Sequence, residues 1–134
     1  MFFTIVIPTR NRPDLAAIAI KSVVRQDFDD FEIVVSDNSS PPQADALKDA
    51  VRELRDNRVW YVRPPGELDM GDHWEFALQH ARGEYVGYLT DRMAFRKDAL
   101  SRLQEQITAT GAPVISYSST GILELESPYR LQRH

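Results

Sequence analysis

The sequence predicts an α/β fold built on a mostly parallel sheet, and three features carry that prediction. Short β-branched runs alternate with stretches of helical periodicity. Several of these runs are continuously apolar, as strands covered on both faces are. Polar clusters follow the runs: Pro8-Thr9-Arg10-Asn11-Arg12 after Thr4 to Ile7, Ser36-Asp37-Asn38-Ser39-Ser40 after Phe31 to Val35, and Thr90-Asp91-Arg92-Met93 after Tyr88-Leu89. Open α/β sheets hold ligands outside the carboxyl ends of their strands, so these clusters point to one shared crevice.

Phe3-Thr4-Ile5-Val6-Ile7 reads as the first strand, which Pro8 is expected to end or to place at a sheet edge because it lacks a ladder donor. Pro13 suits a first helical turn, and Leu15, Ile18, Ala19, Ser22 and Val23 recur at helical spacing, so a helix is expected from about Pro13 to Arg25. Phe31 to Val35 makes a second buried strand. A polar loop with Pro41-Pro42 then leads to a charged outer helix from Gln43 to Arg55, and Val59 to Val62 is a third strand. Gly71-Asp72 opens a helix with Trp74, Ala77, Leu78 and Ala81 on one face, and Gly83 is placed to stop it. Trp74 reads as helix packing, and His73 as a partly exposed residue, not a metal ligand, since no carboxylate partner is evident. Glu84 to Thr90 is the fourth strand. Asp98 can cap a helix holding Leu100, Leu103 and Ile107 up to Gly111, Val114 to Ser118 is a fifth strand, and Ile122 to Leu125 a short one in the final stretch.

A length of 134 residues fits one compact domain. No apolar run approaches the roughly 18 residues of a membrane span, and Met1-Phe2-Phe3-Thr4-Ile5 lacks the basic start and cleavage site of a signal peptide. There is no cysteine, hence no disulfide and no thiolate metal site; these points lead to an expected cytoplasmic location. A formal charge of −4 argues against nucleic-acid partners, which require a basic face. The positive charge is mostly arginine, including Arg10, Arg12, Arg63, Arg92 and Arg96; a guanidinium can grip a phosphate bidentately, although a surface ion pair is the favoured reading for any one of them. A Gly-x-Gly-x-x-Gly turn, a Gly-Lys-Ser/Thr loop and a nucleophile elbow are all absent, which disfavours dinucleotide binding, P-loop hydrolysis and elbow-type acyl transfer.

Thr4-Ile5-Val6-Ile7-Pro8-Thr9-Arg10-Asn11-Arg12-Pro13, the stretch Gln26 to Ser39, and Ala81-Arg82-Gly83-Glu84-Tyr85-Val86 together resemble the inverting family 2 glycosyltransferases of GT-A fold. The likeness runs from about Phe3 to Leu100 and rests on the combination of motifs. It implies a GT-A, Rossmann-like α/β/α sandwich of which this chain is the N-terminal portion, with residues 1–118 as a nucleotide-sugar-binding domain and 119–134 as a tail. It further implies that Thr9 and Asp37 line the base and ribose pocket of a nucleotide-sugar donor, commonly a UDP-sugar. Asn11 and Arg12 stand where they approach the pocket or the diphosphate, although helix entry and surface charge explain them equally well. Ser39 reads as a turn residue, with Asp37 and Asn38 able to form an Asx turn.

In that family the fourth strand ends in an Asp-x-Asp or Asp-Asp element that meets ribose and a Mg²⁺ or Mn²⁺ bridging the diphosphate. Here Asp91 keeps one carboxylate, and Arg92 replaces the second, so Asp91 is the single metal candidate and the metal's grip is expected to be weak. Arg92 either pairs with the diphosphate in place of the cation, records a lost activity, or points to solvent. The residues after Asp91 are too few for the family's acceptor half, so the general base is expected to lie outside this chain, Glu124 and Glu126 being poor candidates. The reading is therefore a donor-binding portion for inverting transfer to an unidentified acceptor, expected to be an excised domain, a truncated product or a module completed by another chain; separately, an uncovered sheet edge after Ser118 would favour a homo-oligomer. Its rival is a non-catalytic, degenerate nucleotide-sugar-binding or protein-interaction module. A nucleotidyltransferase lacks support without a basic glycine-rich opening loop.

Overall fold

The computed structural model describes residues 1–115, 120–123 and 130–133. Met1–Ser101 form one compact unit and Arg102–His134 another. The first unit contains β1 (Phe3–Thr9), α1 (Pro13–Val24), β2 (Phe31–Asp37), α2 (Pro41–Leu54), β3 (Val59–Val62), α3 (Met70–Leu78), β4 (Tyr85–Tyr88) and the start of α4 (Ala99–Thr110). The second unit contains the rest of α4 and an antiparallel pair, β5 (Thr120–Leu123) with β6 (Arg130–Arg133).

The sheet of the first unit is wholly parallel in the order β3-β2-β1-β4. Two crossovers step outward from β1 to β3, and the third returns past β1 to β4. Right-handed crossovers therefore put α1 and α2 on one face and α3 on the other. Every residue of β1 and β2 is buried, which explains their unbroken apolar runs. Val6 and Val34, register partners, pack with Ala77 of α3. Ile5, Ile7, Ile33 and Val35 have the opposite strand parity and serve the other face, where α1 and α2 contact each other and bury Ala16, Ile20, Val23, Ala44 and Leu47.

Several sequence expectations change on contact with the sheet. Pro8 does not end β1, which continues to Thr9, and β1 is not an edge strand, although its β4 side is already unpaired at Pro8. The Val6 carbonyl accepts from the Leu89 amide, so residues of that parity turn their polar groups toward β4. Pairing with β4 ends at Val6–Tyr88, and the missing Pro8 donor costs no ladder bond. Helix α2 starts at Pro41 and not at Gln43, because two prolines at the first turn forfeit only amides that have no intrahelical partner, and Ser40 before them is held extended at φ −66°, ψ 154°. Helix α3 starts earlier than Gly71-Asp72: the Asp69 carboxylate caps it by accepting from the Asp72 amide at 2.9 Å. It ends at Leu78, well before Gly83, and β4 occupies only Tyr85–Tyr88 of the expected Glu84 to Thr90. Val114 and Ile115 form no strand, and residues 116–118 of that expected fifth strand lie outside the described residues. The expected short strand at Ile122 to Leu125 matches β5 through Leu123, its remainder lying outside them.

At the amino ends of the strands a buried carboxylate is paired with an exposed arginine. Glu32 is 1% exposed and its carboxylate accepts from the Thr4 hydroxyl (2.8 Å), the Arg82 amide (2.9 Å) and the Arg82 guanidinium (2.7 Å). Thr4 Oγ1 in turn accepts from the Gly83 amide at 2.7 Å. Burial pushes the Glu32 carboxyl up, but hydrogen bonds from Arg82 and Thr4 outweigh it and hold it below its ordinary value. The requirement at Gly83 is close approach to β1, not helix termination: a Cβ there would lie 2.5 Å from the Thr4 nitrogen.

Candidate functional site

The carboxyl ends of β1, β2 and β4 converge where the strand order reverses, between β1 and β4. Three bonds tie the β1 and β2 ends together. The Thr9 carbonyl accepts from the Asn38 amide (3.0 Å), the Asn11 amide donates to Ser39 Oγ (2.7 Å), and Asn11 Oδ1 accepts from the Ser40 amide (2.9 Å). Asn11 sits at φ 56°, a left-handed conformation that asparagine tolerates better than most side chains. The Asn11 and Ser39 side chains thus both hold the turns, the role expected of Ser39.

Asp37 is fully buried beside Thr9, its register partner. Its Oδ1 accepts from the Ser39 amide at 3.0 Å, closing the expected Asx turn, and its Oδ2 accepts from the Tyr61 hydroxyl at 2.7 Å. Burial first, and then the bond to Asp37, push the Tyr61 phenol well above its ordinary range, so it stays a donor. Each Asp37 oxygen keeps a second lone pair. Tyr61 was missed as a site residue because only the β2–β3 register, Val35 opposite Tyr61, brings it to Asp37.

Asp91, 7% exposed, accepts from the Thr9 hydroxyl through Oδ2 at 2.9 Å and from Arg12 Nη1 through Oδ1 at 3.3 Å. Arg12 is half exposed and hence able to turn elsewhere. Arg92 is exposed and has no partner among the described residues. The structure therefore brings Thr9, Arg12 and Asp91 into direct contact, joins Asp37 to Thr9 through the ladder and Asn11 to the turn beside it, and leaves Arg92 pointing outward.

The segment after β3 closes the other side. Asn38 pairs with Leu68 as a strand would, donating Nδ2–H to its carbonyl (2.8 Å) and accepting its amide (3.2 Å), while Arg63 donates to the Ser39 carbonyl (2.8 Å) and Arg10 pairs with Glu67. A cleft of about 200 Å³ opens here between Asn38–Pro41 and Pro64–Glu67. His73 in α3 is buried, 4% exposed, which corrects the expected partial exposure. Its Nε2 lies 3.1 Å from the Ser36 carbonyl and 2.9 Å from Ser36 Oγ; a carbonyl only accepts, so the Nε2–H tautomer fits. Burial lowers its pKa from the ordinary 6.5. Trp74 stacks on Tyr88 at 4.7 Å, the packing role expected of it.

No group of three or more His, Cys, Asp or Glu side chains that could hold a metal occurs among the described residues. Asp91 offers one carboxylate, already bonded at both oxygens. That donor set is too small for Mg²⁺ or Mn²⁺, which take about six oxygens, so a cation here must draw most of its ligands from phosphate and water. No helix among the described residues is long and apolar enough to cross a membrane.

Among relatives, the GalNAc(5)-diNAcBac-PP-undecaprenol beta-1,3-glucosyltransferase of Campylobacter jejuni is 36% identical over 112 residues, covering 77% of this chain and 33% of that protein. The chain thus spans about a third of the length of that relative. Among solved structures, residues 1–349 of S. aureus TarS in complex with UDP-GlcNAc superpose with a TM-score of 0.72 at 23% identity, covering 83% of this chain and 32% of that one. The mannosyltransferase PcManGT from Pyrobaculum calidifontis, in complex with GDP-Man and Mn²⁺, gives 0.70 at 22% identity, covering 78% and 32%. These likenesses establish the GT-A type of α/β fold. The model of the family described as Glycosyl transferase family 2 matches residues 4–134, nearly the whole sequence, and the chain belongs to that family.

Proposed function

We propose that this chain is the donor-binding portion of a glycosyltransferase and holds a nucleoside diphosphate sugar, a UDP-sugar foremost, at the carboxyl ends of β1, β2 and β4. The observation that carries the reading is the Thr9–Asp91 hydrogen bond at the strand-order reversal, with Asp37 as the register partner of Thr9. A UDP-GlcNAc complex of one structural neighbour supports the choice of donor. In this reading Thr9 and Asp37 meet the base and ribose, and Asn11 shapes the turn against them. Arg12 and Arg92 offset the diphosphate charge, and Asp91 meets the ribose or shares a cation with phosphate oxygens. Mg²⁺ or Mn²⁺, when bound, would add Lewis-acid stabilisation of the leaving diphosphate. The donor-binding domain is taken as residues 1–118 and the tail as 119–134.

The transfer is an in-line displacement. An acceptor hydroxyl oxygen bonds to the anomeric carbon from the face opposite the diphosphate, the carbon–diphosphate bond breaks with inversion, and the hydroxyl proton passes to a base. In this reading the base and the acceptor site belong to the remainder of such an enzyme or to a partner chain. The contribution of these residues is position and preorganised charge.

One observation favours a second reading, a nucleotide-binding module without turnover: the sole carboxylate at the end of β4 is followed by Arg92 and carries a guanidinium already. Calorimetric titration of the chain with UDP and GDP, with and without Mn²⁺, and of Asp91→Asn, tests both. Saturable UDP binding weakened by Asp91→Asn is expected. Donor hydrolysis or transfer separates the enzyme from the module, and a folded chain that binds neither nucleotide overturns both.

A further inference from the structure

We propose that Ser22 and Gln26, at the end of α1, are positioning residues for the segment that carries Asp91 and Arg92; the inference rests on the donor-site reading above. Gln26 belongs to a sequence motif that the site itself leaves unused, and it is buried. Its Nε2 donates to the Ser22 carbonyl at 3.0 Å and to the Arg96 carbonyl at 2.5 Å, while its Oε1 accepts from the Leu100 amide at 2.9 Å. The next backbone amide, Asp27, donates to the Lys97 carbonyl at 3.1 Å, and Ser22 Oγ accepts from the Phe95 amide at 3.0 Å while donating to the Ala19 carbonyl at 2.6 Å.

The chemistry explains why an amide stands there. Ser22 lies in the last turn of α1 and Leu100 in the first turn of α4, so an unpaired carbonyl of one helix end and an unpaired amide of the other face the same side chain. Only a group with both donors and an acceptor satisfies the two ends together, and the second donor is left for Arg96. Between Asp91 and α4 the chain has no helix or strand; its local bonds include the Met93–Thr90 and Ala99–Arg96 turns and an Arg96–Asp98 ion pair at 3.4 Å. To these, the end of α1 and the residues just after it add one long-range bond each to Phe95, Arg96 and Lys97, across about 70 residues of sequence. Neither Ser22 nor Gln26 need touch a nucleotide; both act through the backbone that leads from Arg92.

The test is calorimetry on the full chain with UDP and with uridine, alongside thermal melting, for the unaltered protein, Gln26→Glu and Ser22→Ala. Glutamate keeps the acceptor for Leu100 but turns an oxygen toward the Ser22 and Arg96 carbonyls. Uridine probes the β1–β2 pocket alone, and the gain from uridine to UDP probes the diphosphate end. Gln26→Glu is expected to cut that gain roughly tenfold with uridine affinity unchanged, as small misplacements of charged groups do, and Ser22→Ala to cut it by less. A lowered melting temperature with the gain unchanged in both variants shows a merely structural role and overturns the inference. If Gln26→Glu fails to fold, Ser22→Ala decides. Failure of the unaltered, folded chain to bind UDP overturns the donor reading and this inference with it, a result distinct from UDP binding that both variants share.

Discussion

At the amino ends of the strands, Glu32 is enclosed and saturated: Thr4 and Arg82 fill its oxygens, Gly83 fills Thr4 in turn, and no position is left for a ligand. At the carboxyl ends, Asp37 and Asp91 are nearly as buried, yet each oxygen has a single partner, one of those partners is a half-exposed arginine, and the exposed Arg92 that follows Asp91 has no partner among the described residues. The same chemistry, a carboxylate taking hydroxyl, amide and guanidinium donors, is complete at one end and partial at the other. A saturated carboxylate locks strands together, whereas a partly satisfied one retains binding capacity.

Substitutions at the closed end should act on stability and those at the open end on binding. The largest effect is expected from Gly83→Ala, whose methyl would meet the β1 backbone; a loss of about 3 kcal/mol or more in denaturant unfolding is expected, because backbone on both sides cannot yield. Glu32→Ala, which strands the Thr4 hydroxyl and the Arg82 amide, should cost about 2–3 kcal/mol. The two ends also separate by pH. His73 has a lowered pKa, so the unfolded chain binds the extra proton first and stability should fall as pH drops below 6.5; His73→Gln should flatten that limb of the stability–pH curve. Glu32 is likewise lowered, and its contribution, present above 4.5, should be lost only as pH falls further, a second limb that His73→Gln leaves in place. The smallest stability effect belongs to Arg92→Ala, within about 0.5 kcal/mol for an exposed side chain, while UDP affinity measured calorimetrically falls several-fold on the donor reading. A reversed pattern, with Arg92→Ala unfolding the chain or Glu32→Ala abolishing binding in a folded one, would erase the distinction between the ends.

Local pattern carried much of this into the sequence. Thr4 to Ile7 and Phe31 to Val35 announced β1 and β2 because covered strands must be apolar, Val59 to Val62 announced β3 by its β-branched and aromatic residues, and the polar residues after β1, β2 and Leu89 marked the crevice. What depended on register stayed hidden. Tyr61 reaches Asp37 only through its place opposite Val35, and His73 finds Ser36 only once α3 crosses to the far face of the sheet. Pro8 was misjudged for the same reason: its tolerance follows from where β4 stops, which nothing near residue 8 encodes. Helix starts shifted where caps outranked periodicity, at Pro41 and Asp69.

The bond between Thr9 and Asp91 joins residues separated by 82 positions, and it closes on the strand that lies beside β1 but is reached last along the chain. β1, β2 and β3 adjoin in sequence order, each joined to the next by a single helical crossover, whereas β4 must find the opposite edge of β1 after the rest of the sheet has been threaded. Closing the longer loop carries the larger entropic penalty, so this pairing is expected late in folding. A ligand that needs both residues would then recognise only chains whose assembly has finished, and by binding them would hold the final strand in place.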